Sequence, residues 1–257
     1  MTKHPIILVH GIAIRDSKLI RAFGKIEKKL SEAGYSVHTA KIDAFGTIES
    51  NADQLKASIL ETLADTGAEK VNIIAHSKGG LDSKYMISKL GMADKVASLT
   101  TLCTPHKGSP VATKIWNLPM WFKRFLAFFI NGFYRITGDK KPNSLMVCEQ
   151  LKSADDDSDK EAIDENIYCQ SYSTVLRNKK DCLIMALPMK ICNNAGEMEN
   201  DGVVSSESAK FGLYRGECID ESVSHIQIID ILAKRKNRHK IYEFYINLCN
   251  ELGEMGY

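Results

Sequence analysis

A serine at the junction of a predicted strand and a predicted helix is the first residue whose setting indicates chemistry. Ser77 lies where an apolar run ends at Ala75 and a helical pattern begins at Gly79. A strand-to-helix turn this tight requires small residues two positions before and two after the serine, and both positions meet that requirement. The turn lifts the hydroxyl to the top of a sheet, at a helix N-terminus that favours negative charge. The pattern predicts a nucleophile elbow, with His76 as a supporting residue.

The first predicted strand ends in a His-Gly pair that precedes this serine by more than sixty residues. Acyl transfer through a tetrahedral intermediate needs two backbone N–H donors at the developing oxyanion. We expect one donor to be the amide of Lys78, directly after the serine, and the other to be the amide of Ile12. Gly11 lets the backbone approach the site closely.

A serine hydroxyl is a poor nucleophile at neutral pH and requires a base. In folds with a nucleophile elbow, the catalytic residues follow one another along the chain in the order serine, acid, histidine. Of the seven histidines, only His225 and His239 come late enough. His239 lies in the basic stretch 234–240, whereas His225 lies in a loop before an apolar segment. We therefore favour His225 as the base and keep His239 as the alternative.

The acid is expected between the serine and the histidine. Asp201 lies in an Asn-Asp-Gly turn that is followed by two valines, which would anchor the turn. Its carboxylate would orient the His225 ring and stabilise the imidazolium formed during attack. Asp181 and Asp220 are the competing candidates.

The elements that must position these residues alternate along the chain. Strands are predicted over Ile6–Val9, 35–40, 71–75, Val96–Leu102 and 167–173. Helices are predicted over 16–32, 51–64, 79–90, 226–232 and 241–248. This alternation predicts an α/β fold with a mostly parallel sheet covered by helices on both faces, in a single domain spanning 1–257.

Composition excludes several classes of protein. The chain has 257 residues, of which 44% are hydrophobic and 26% charged, as in ordinary globular domains. A net charge of +2 does not create the positive surface potential that would attract nucleic acid. The sequence contains no run of about 18 apolar residues, so no membrane-spanning helix is predicted. Seven cysteines without a CxxC pair predict no zinc site. As written, the chain carries no signal peptide and is expected to be cytoplasmic, while export after removal of a leader is left open.

The segment 111–136 interrupts the alternation and is rich in aromatic residues. We predict that it is a lid inserted in the domain, extending to 165 if the acidic run 155–159 belongs to it. Its aromatic density around two basic residues is typical of a helix that lies at a lipid surface. The alternative is a fixed pair of core helices. The predicted lid and acyl-pocket residues are Trp116, Trp121, Phe125 and Phe129.

In these motifs the chain resembles the bacterial triacylglycerol lipases of the α/β-hydrolase fold, of the Pseudomonas and Burkholderia type. The motifs are those at 5–11, 74–80, 104–109 and 200–203, together with the late His225. The resemblance implies that Ser77, Asp201 and His225 are the nucleophile, acid and base. It also implies that the amides of Ile12 and Lys78 form the oxyanion hole.

Two positions depart from the family pattern. The family usually has Gln, Met or a similar residue after the nucleophile. Here Lys78 is expected to place a cation beside the site and substrate, where it would alter substrate preference. The family's structural calcium uses an aspartate two residues after the catalytic histidine. Here that position is Gln227, whose neutral amide is a weaker calcium ligand than a carboxylate. We therefore expect no metal and no organic cofactor, and a structural calcium is the alternative that the resemblance leaves open.

The predicted function is that of a serine hydrolase of lipid-like carboxylic esters, a triacylglycerol lipase or esterase. Its expected partners are a small ester or lipid substrate and, transiently, the lipid–water interface, with no nucleic acid. A phospholipase, thioesterase or acyltransferase would use the same residues. A hypothesis of another class is a non-catalytic scaffold that binds a hydrophobic ligand or a membrane surface.

Overall fold

Six strands form one sheet in which every neighbouring pair is parallel. The computed structural model describes residues 1–13, 21–152 and 163–257. The sheet has the order β2-β1-β3-β4-β5-β6. The strands are β1 (Ile6–Val9), β2 (Val37–Thr39), β3 (Val71–His76), β4 (Val96–Leu102), β5 (Tyr168–Ser173) and β6 (Leu213–Glu217). The central strands β1, β3 and β4 are buried along their whole length, as a sheet covered on both faces requires.

Helices cover both faces of the sheet and its carboxyl end. They are α1 (Ile26–Glu32), α2 (Ile48–Thr66), α3 (Lys78–Lys89), α4 (Pro110–Trp116), α5 (Met120–Thr137), α6 (Ser144–Leu151), α7 (Ala186–Asn194) and α8 (Arg235–Glu254). One core cluster contains Ile6 and Leu8 of β1 and Tyr245 of α8. A second cluster contains Ile7 and Val9 of β1, together with α2 residues. Alternate residues of β1 therefore belong to the cores on opposite faces of the sheet.

The predicted fold class is confirmed, because the parallel order and the helices on both faces are those of an α/β-hydrolase sheet. The boundaries of β1 and β4 agree with the prediction. The strand β6 has no counterpart in it, because its residues are half-exposed at the sheet edge and form no apolar run.

The prediction of a helix over 226–232 is wrong. The chain turns there without a helix, and Asp230 and Leu232 have φ values of 64° and 54°. Apolar residues such as Ile228 and Ile229 are buried in the core by this turn rather than by a helix face. The helix that follows begins at Arg235, so most of the basic stretch 234–240 forms its first turns. Of the helix predicted over 16–32, residues 16–20 lie outside the described part. Within the described residues 21–32 the helix begins at Ile26.

The helices α4, α5 and α6, which we call the cap, lie between β4 and β5. The loop after α5 ties the cap to the domain, because the Asp139 carboxylate accepts hydrogen bonds from the amides of Ala44 and Phe45. Of the helices in the described ranges, none is both long enough and apolar enough to span a membrane. The acidic run 155–159 lies outside those ranges.

Candidate active site

The turn between β3 and α3 places Ser77 in a strained backbone conformation. Its φ is 55° and its ψ is −133°, values that non-glycine residues adopt only when the surroundings enforce them. A Cβ on Gly79 would lie 2.6 Å from the carbonyl oxygen of His10, and one on Gly80 would lie 2.2 Å from Oγ1 of Thr104. The tight packing predicted from the spacing of Ala75 and Gly79 is therefore present.

The structure brings Ser77, His225 and Asp201 together in a continuous hydrogen-bonded line. Nε2 of His225 lies 2.8 Å from Oγ of Ser77, and Nδ1 lies 2.7 Å from Oδ2 of Asp201. All three side chains are buried. A neutral imidazole in this arrangement donates through Nδ1 to the carboxylate and accepts the serine proton at Nε2.

Backbone contacts hold the acid and the base in register. The other carboxylate oxygen of Asp201 accepts hydrogen bonds from the amides of Val203 and Val204, both at 2.8 Å. The amide of His225 donates to the carbonyl of Asp201 at 2.9 Å. The Asn-Asp-Gly turn thus closes on itself and presents one oxygen to the imidazole.

The side chain of His76 is hydrogen-bonded to the loop that carries His225. Burial lowers the pKa of His76 well below its ordinary value, so the ring is neutral. Its Nε2 donates to the carbonyl oxygen of His225 at 2.8 Å, and the two rings lie 4.6 Å apart. The residue before the serine therefore positions the backbone of the histidine.

The two predicted oxyanion donors flank Ser77. The amide of Lys78 is the first of α3, one of the amides for which a helix supplies no acceptor. A Cβ on Gly11 would lie 2.6 Å from Cβ of Ser77, so only glycine allows the first loop to pass this close to the serine. The next residue, Ile12, lines the cavity that opens onto Ser77.

The expectation that the cation of Lys78 lies beside the substrate is wrong. Its side chain is 1% exposed and turns into the protein, where Nζ lies 2.5 Å from Oδ1 of Asp82. Helical spacing of four residues makes this pair possible. The side chain does not line the cavity.

A cavity of about 380 Å³ opens onto Ser77 and His225. Its walls come from the first loop, the cap and the segments before α7 and after His225. They are mainly apolar, and include Ile12, Phe45, Leu126, Ile130, Met185 and Ile226. Such a cavity binds the hydrocarbon part of a ligand and leaves specificity to a few polar groups at its base.

The four aromatic residues predicted to line the acyl pocket do not line it. Trp121, Phe125 and Phe129 point to solvent, with 71% of Trp121 exposed. Trp116 is half-buried and packs its ring against the ammonium of Lys123 at 4.0 Å. The cavity side of α5 consists instead of Lys123, Leu126, Ala127 and Ile130. Their spacing of three and four residues was the available signal, because those positions share one helix face.

The competing candidates lie elsewhere. His239 is exposed on α8, with Nδ1 3.1 Å from Oε2 of Glu243, and Asp181 pairs with Lys234. Gln227 is hydrogen-bonded within the protein: its amide oxygen accepts from the Ser224 amide, and its nitrogen donates to the carbonyls of Asp181 and Leu232.

The fold and the Ser-His-Asp line together define an α/β hydrolase, and comparison with known proteins refines this class. Residues 5–170 match the family model described as palmitoyl protein thioesterase, and the chain belongs to that family. The chain is 26% identical to triacylglycerol lipase 2 of Saccharomyces cerevisiae, over 90% of this chain and 73% of that protein. It is 39% identical to a triacylglycerol lipase of Burkholderia plantarii, over 43% of this chain and 32% of that protein.

Solved structures show the same fold. The mature lipase of Bacillus licheniformis superposes with a TM-score of 0.72 at 19% identity, covering 96% of this chain and 92% of that one. The lipase of Staphylococcus hyicus superposes with a TM-score of 0.69 at 16% identity, covering 99% and 96%. The resemblance to bacterial triacylglycerol lipases is confirmed, and the protein is a carboxylic ester hydrolase.

Proposed function

We propose that the protein hydrolyses fatty acyl esters through a serine-linked acyl intermediate. The observation that carries this proposal is the line of hydrogen bonds from Asp201 through His225 to Ser77, at the base of an apolar cavity. This line joins an activated nucleophile to a space that fits a hydrocarbon chain.

The reaction uses specific atoms of Ser77 and His225 and two backbone amides. Oγ of Ser77 attacks the ester carbonyl while Nε2 of His225 takes the serine proton. The amides of Ile12 and Lys78 stabilise the oxyanion. Collapse of the tetrahedral intermediate breaks the ester C–O bond, and His225 protonates the departing alcohol. Water activated by His225 then releases the fatty acid, and no step is assigned to a metal or an organic cofactor.

The choice between oxygen esters and thioesters concerns the leaving group. The matched family model is described as a thioesterase, whereas the curated relatives above are described as triacylglycerol lipases. The cavity holds the acyl part, which both substrates share. We favour oxygen esters because the yeast relative, whose name specifies them, is similar over 90% of this chain. Thioesters are the second candidate, which the family match favours.

We further propose that the cap contacts a lipid surface. The outer side of α5 exposes Phe125, Phe128, Phe129 and Phe133, and Phe128 alone is 75% exposed. The cap, residues 110–151, contains six basic residues, of which Lys123 is buried, and two acidic residues, Glu149 and the buried Asp139. An apolar face with a basic surround is typical of helices that rest in the interface of a membrane with anionic lipids.

The test of the hydrolase proposal compares matched substrates. We expect the wild type to hydrolyse p-nitrophenyl esters with a preference for chains longer than acetate, and Ser77→Ala to lose this turnover. Paired S-acyl and O-acyl substrates of one chain length identify the leaving group. No Ser77-dependent turnover on either would overturn the hydrolase proposal and favour a binding scaffold.

The test of the surface proposal uses a triple variant, Phe125→Ser with Phe128→Ser and Phe129→Ser. We expect its rate on a triglyceride emulsion to fall about tenfold, because apolar area removed from water drives interfacial binding. Its rate on a soluble short-chain ester should be unchanged. Leu60→Ser removes an exposed apolar side chain of α2 and is the matched control. Equal emulsion rates for the triple variant and the control would contradict surface contact.

A further inference from the structure

The side chain of Lys78 forms a buried ion pair that the steps above leave unused. Its Nζ lies 2.5 Å from Oδ1 of Asp82, and both side chains are 1% exposed. Burial raises the pKa of Asp82 to about 6 and lowers that of Lys78, so withdrawal from water acts against both charges. A well-packed apolar pair is often at least as stable as a buried ion pair. The pair therefore requires an explanation other than stability.

Asn51 extends the pair to the loop after β2. Its Nδ2 donates to Oδ2 of Asp82 at 3.1 Å and to the carbonyl oxygen of Asp43 at 2.9 Å. A Cβ on Gly46 would lie 2.0 Å from Oδ1 of Asn51, so the amide packs directly against this glycine, where a side chain would not fit. A continuous chain of directional contacts therefore links the residue after the proposed nucleophile to the segment 43–45.

The same segment supports the other proposed oxyanion donor. The amide of Ala13, the residue after Ile12, donates to the carbonyl of Ala44 at 3.2 Å. The hydroxyl of Tyr134 on the cap donates to the carbonyl of Ala13 at 2.7 Å. The loop with Ile12 is thus linked to residues 43–45 by a backbone hydrogen bond. The start of α3, which carries the Lys78 amide, is linked to the same segment through the side chains of Asp82 and Asn51.

The cap is held against this segment as well. The Asp43 carboxylate accepts from the amides of Lys140 and Lys141, at 2.9 and 2.8 Å. The Asp139 carboxylate makes the reciprocal contacts to Ala44 and Phe45. The segment 43–45 is therefore fixed from both sides and can serve as a rigid reference.

We propose that Lys78, Asp82 and Asn51 are positioning residues that set the separation of the two oxyanion amides against the segment 43–45. The inference rests on the proposed function, because it assigns those amides to the oxyanion. Hydrogen bonds to charged groups have short and narrow distances, whereas apolar contacts tolerate sliding. Donors a fraction of an ångström out of place lose part of their stabilisation of the tetrahedral anion, and lose less of their interaction with the planar ester.

The test replaces the ion pair by apolar residues of similar size, in the double variant Lys78→Met with Asp82→Leu. We expect a folded protein whose kcat on p-nitrophenyl butyrate falls about 10-fold to 100-fold, less than the loss of a donor. KM should stay within about twofold, because ground-state binding uses the apolar cavity. The inhibition constant of an alkylboronic acid, which adds to the serine as a tetrahedral anion, should rise in parallel with the loss of kcat.

Two further variants keep the test decisive if the double variant does not fold. Asp82→Asn keeps the shape of the side chain but removes its charge, and Asn51→Ala breaks the link to Asp43. Both should lower kcat and boronate affinity together, by smaller factors. Lys84→Met removes another buried lysine of α3, which lies over the ring of Phe211, and should leave both values unchanged.

A folded double variant with wild-type kcat and boronate affinity would overturn the proposal, and so would a rise in KM alone. Failure of the proposed function is a separate result, because it appears in the wild type as turnover that does not depend on Ser77.

Discussion

The base of the site buries polar and charged side chains, whereas the cap above it exposes apolar ones. At the base, charged and polar side chains such as Asp201, His225 and Lys78 are buried, and each is held by short hydrogen bonds. In the cap, the helix α5 leaves large aromatic side chains such as Trp121 and Phe128 in solvent. Directional bonds define one geometry, whereas an exposed apolar face is free to contact a lipid surface or a substrate.

This difference indicates a division of tasks. The base holds reacting atoms within the narrow limits that bond making requires. The cap offers two faces of one helix, an inner one to the acyl cavity and an outer one to the surroundings. A substitution in the base should therefore alter turnover, while one in the cap should alter which substrates reach the site.

The largest expected effect comes from the base, in the variant Asp201→Asn. The amide cannot stabilise the imidazolium, and it permits the wrong tautomer of His225, so we expect kcat to fall by about 10³-fold to 10⁴-fold. The fold should remain, because an asparagine oxygen can still accept from the amides of Val203 and Val204. Steady-state kinetics with a circular dichroism spectrum check this, and a loss below tenfold would refute the role of Asp201.

A pair of glycine substitutions compares the two regions in stability. Gly79→Ala at the base places a Cβ against the carbonyls of Val9 and His10, and should lower the free energy of unfolding by about 1–3 kcal/mol. Gly132→Ala in the cap meets nothing within 4 Å and should raise it by about 0.5–1 kcal/mol, because alanine favours a helix. Urea unfolding measures both, and equal signs would contradict the comparison.

The inner face of the cap should determine chain length. Leu126→Trp fills part of the cavity, and we expect kcat/KM for long acyl chains to fall about tenfold relative to butyrate. Phe128→Trp on the outer face is the matched control and should leave the ratio unchanged. Rates along a p-nitrophenyl ester series give the ratio, and the same shift in both variants would show that α5 does not present its inner face to the substrate.

The smallest effect concerns pH and a buried histidine beneath the site. Burial, with a further contribution from Lys84, lowers the pKa of His106 to about 3. In the unfolded chain this group has its ordinary pKa of about 6.5, so below that pH the unfolded state binds a proton that the folded state does not. Stability should therefore fall as the pH drops from about 6.5 towards 3, by up to about 1.4 kcal/mol per pH unit from this group.

The variant His106→Asn should flatten this pH dependence. Urea unfolding at pH 7.0 and at pH 5.5 compares the slopes of wild type and variant. The carboxyl of Asp82, whose pKa is raised to about 6, opposes the trend, because it takes up a proton in the folded state first. An unchanged slope in the His106 variant would contradict the assignment.

The features that the sequence alone predicted depend on short stretches of chain. The apolar runs of β1 and β4 and the small residues around Ser77 determine their own local structure, so spacing was sufficient. Chain order narrowed the base to His225 and His239, but the line from Ser77 to Asp201 joins residues up to 148 positions apart. Only the parallel order of the strands brings those loops to one edge of the sheet.

Tertiary structure alone decided which way several side chains point. The direction of Lys78 depends on Asp82, one helical turn away, and on the space left by its neighbours, so its charge does not reach the substrate. The sequence predicts that aromatic residues of α5 line the pocket, but the helix presents Leu126 and Ile130 to the cavity instead. The residue pattern predicts that a helix has an apolar face, whereas the packing around the helix determines which of its faces is covered.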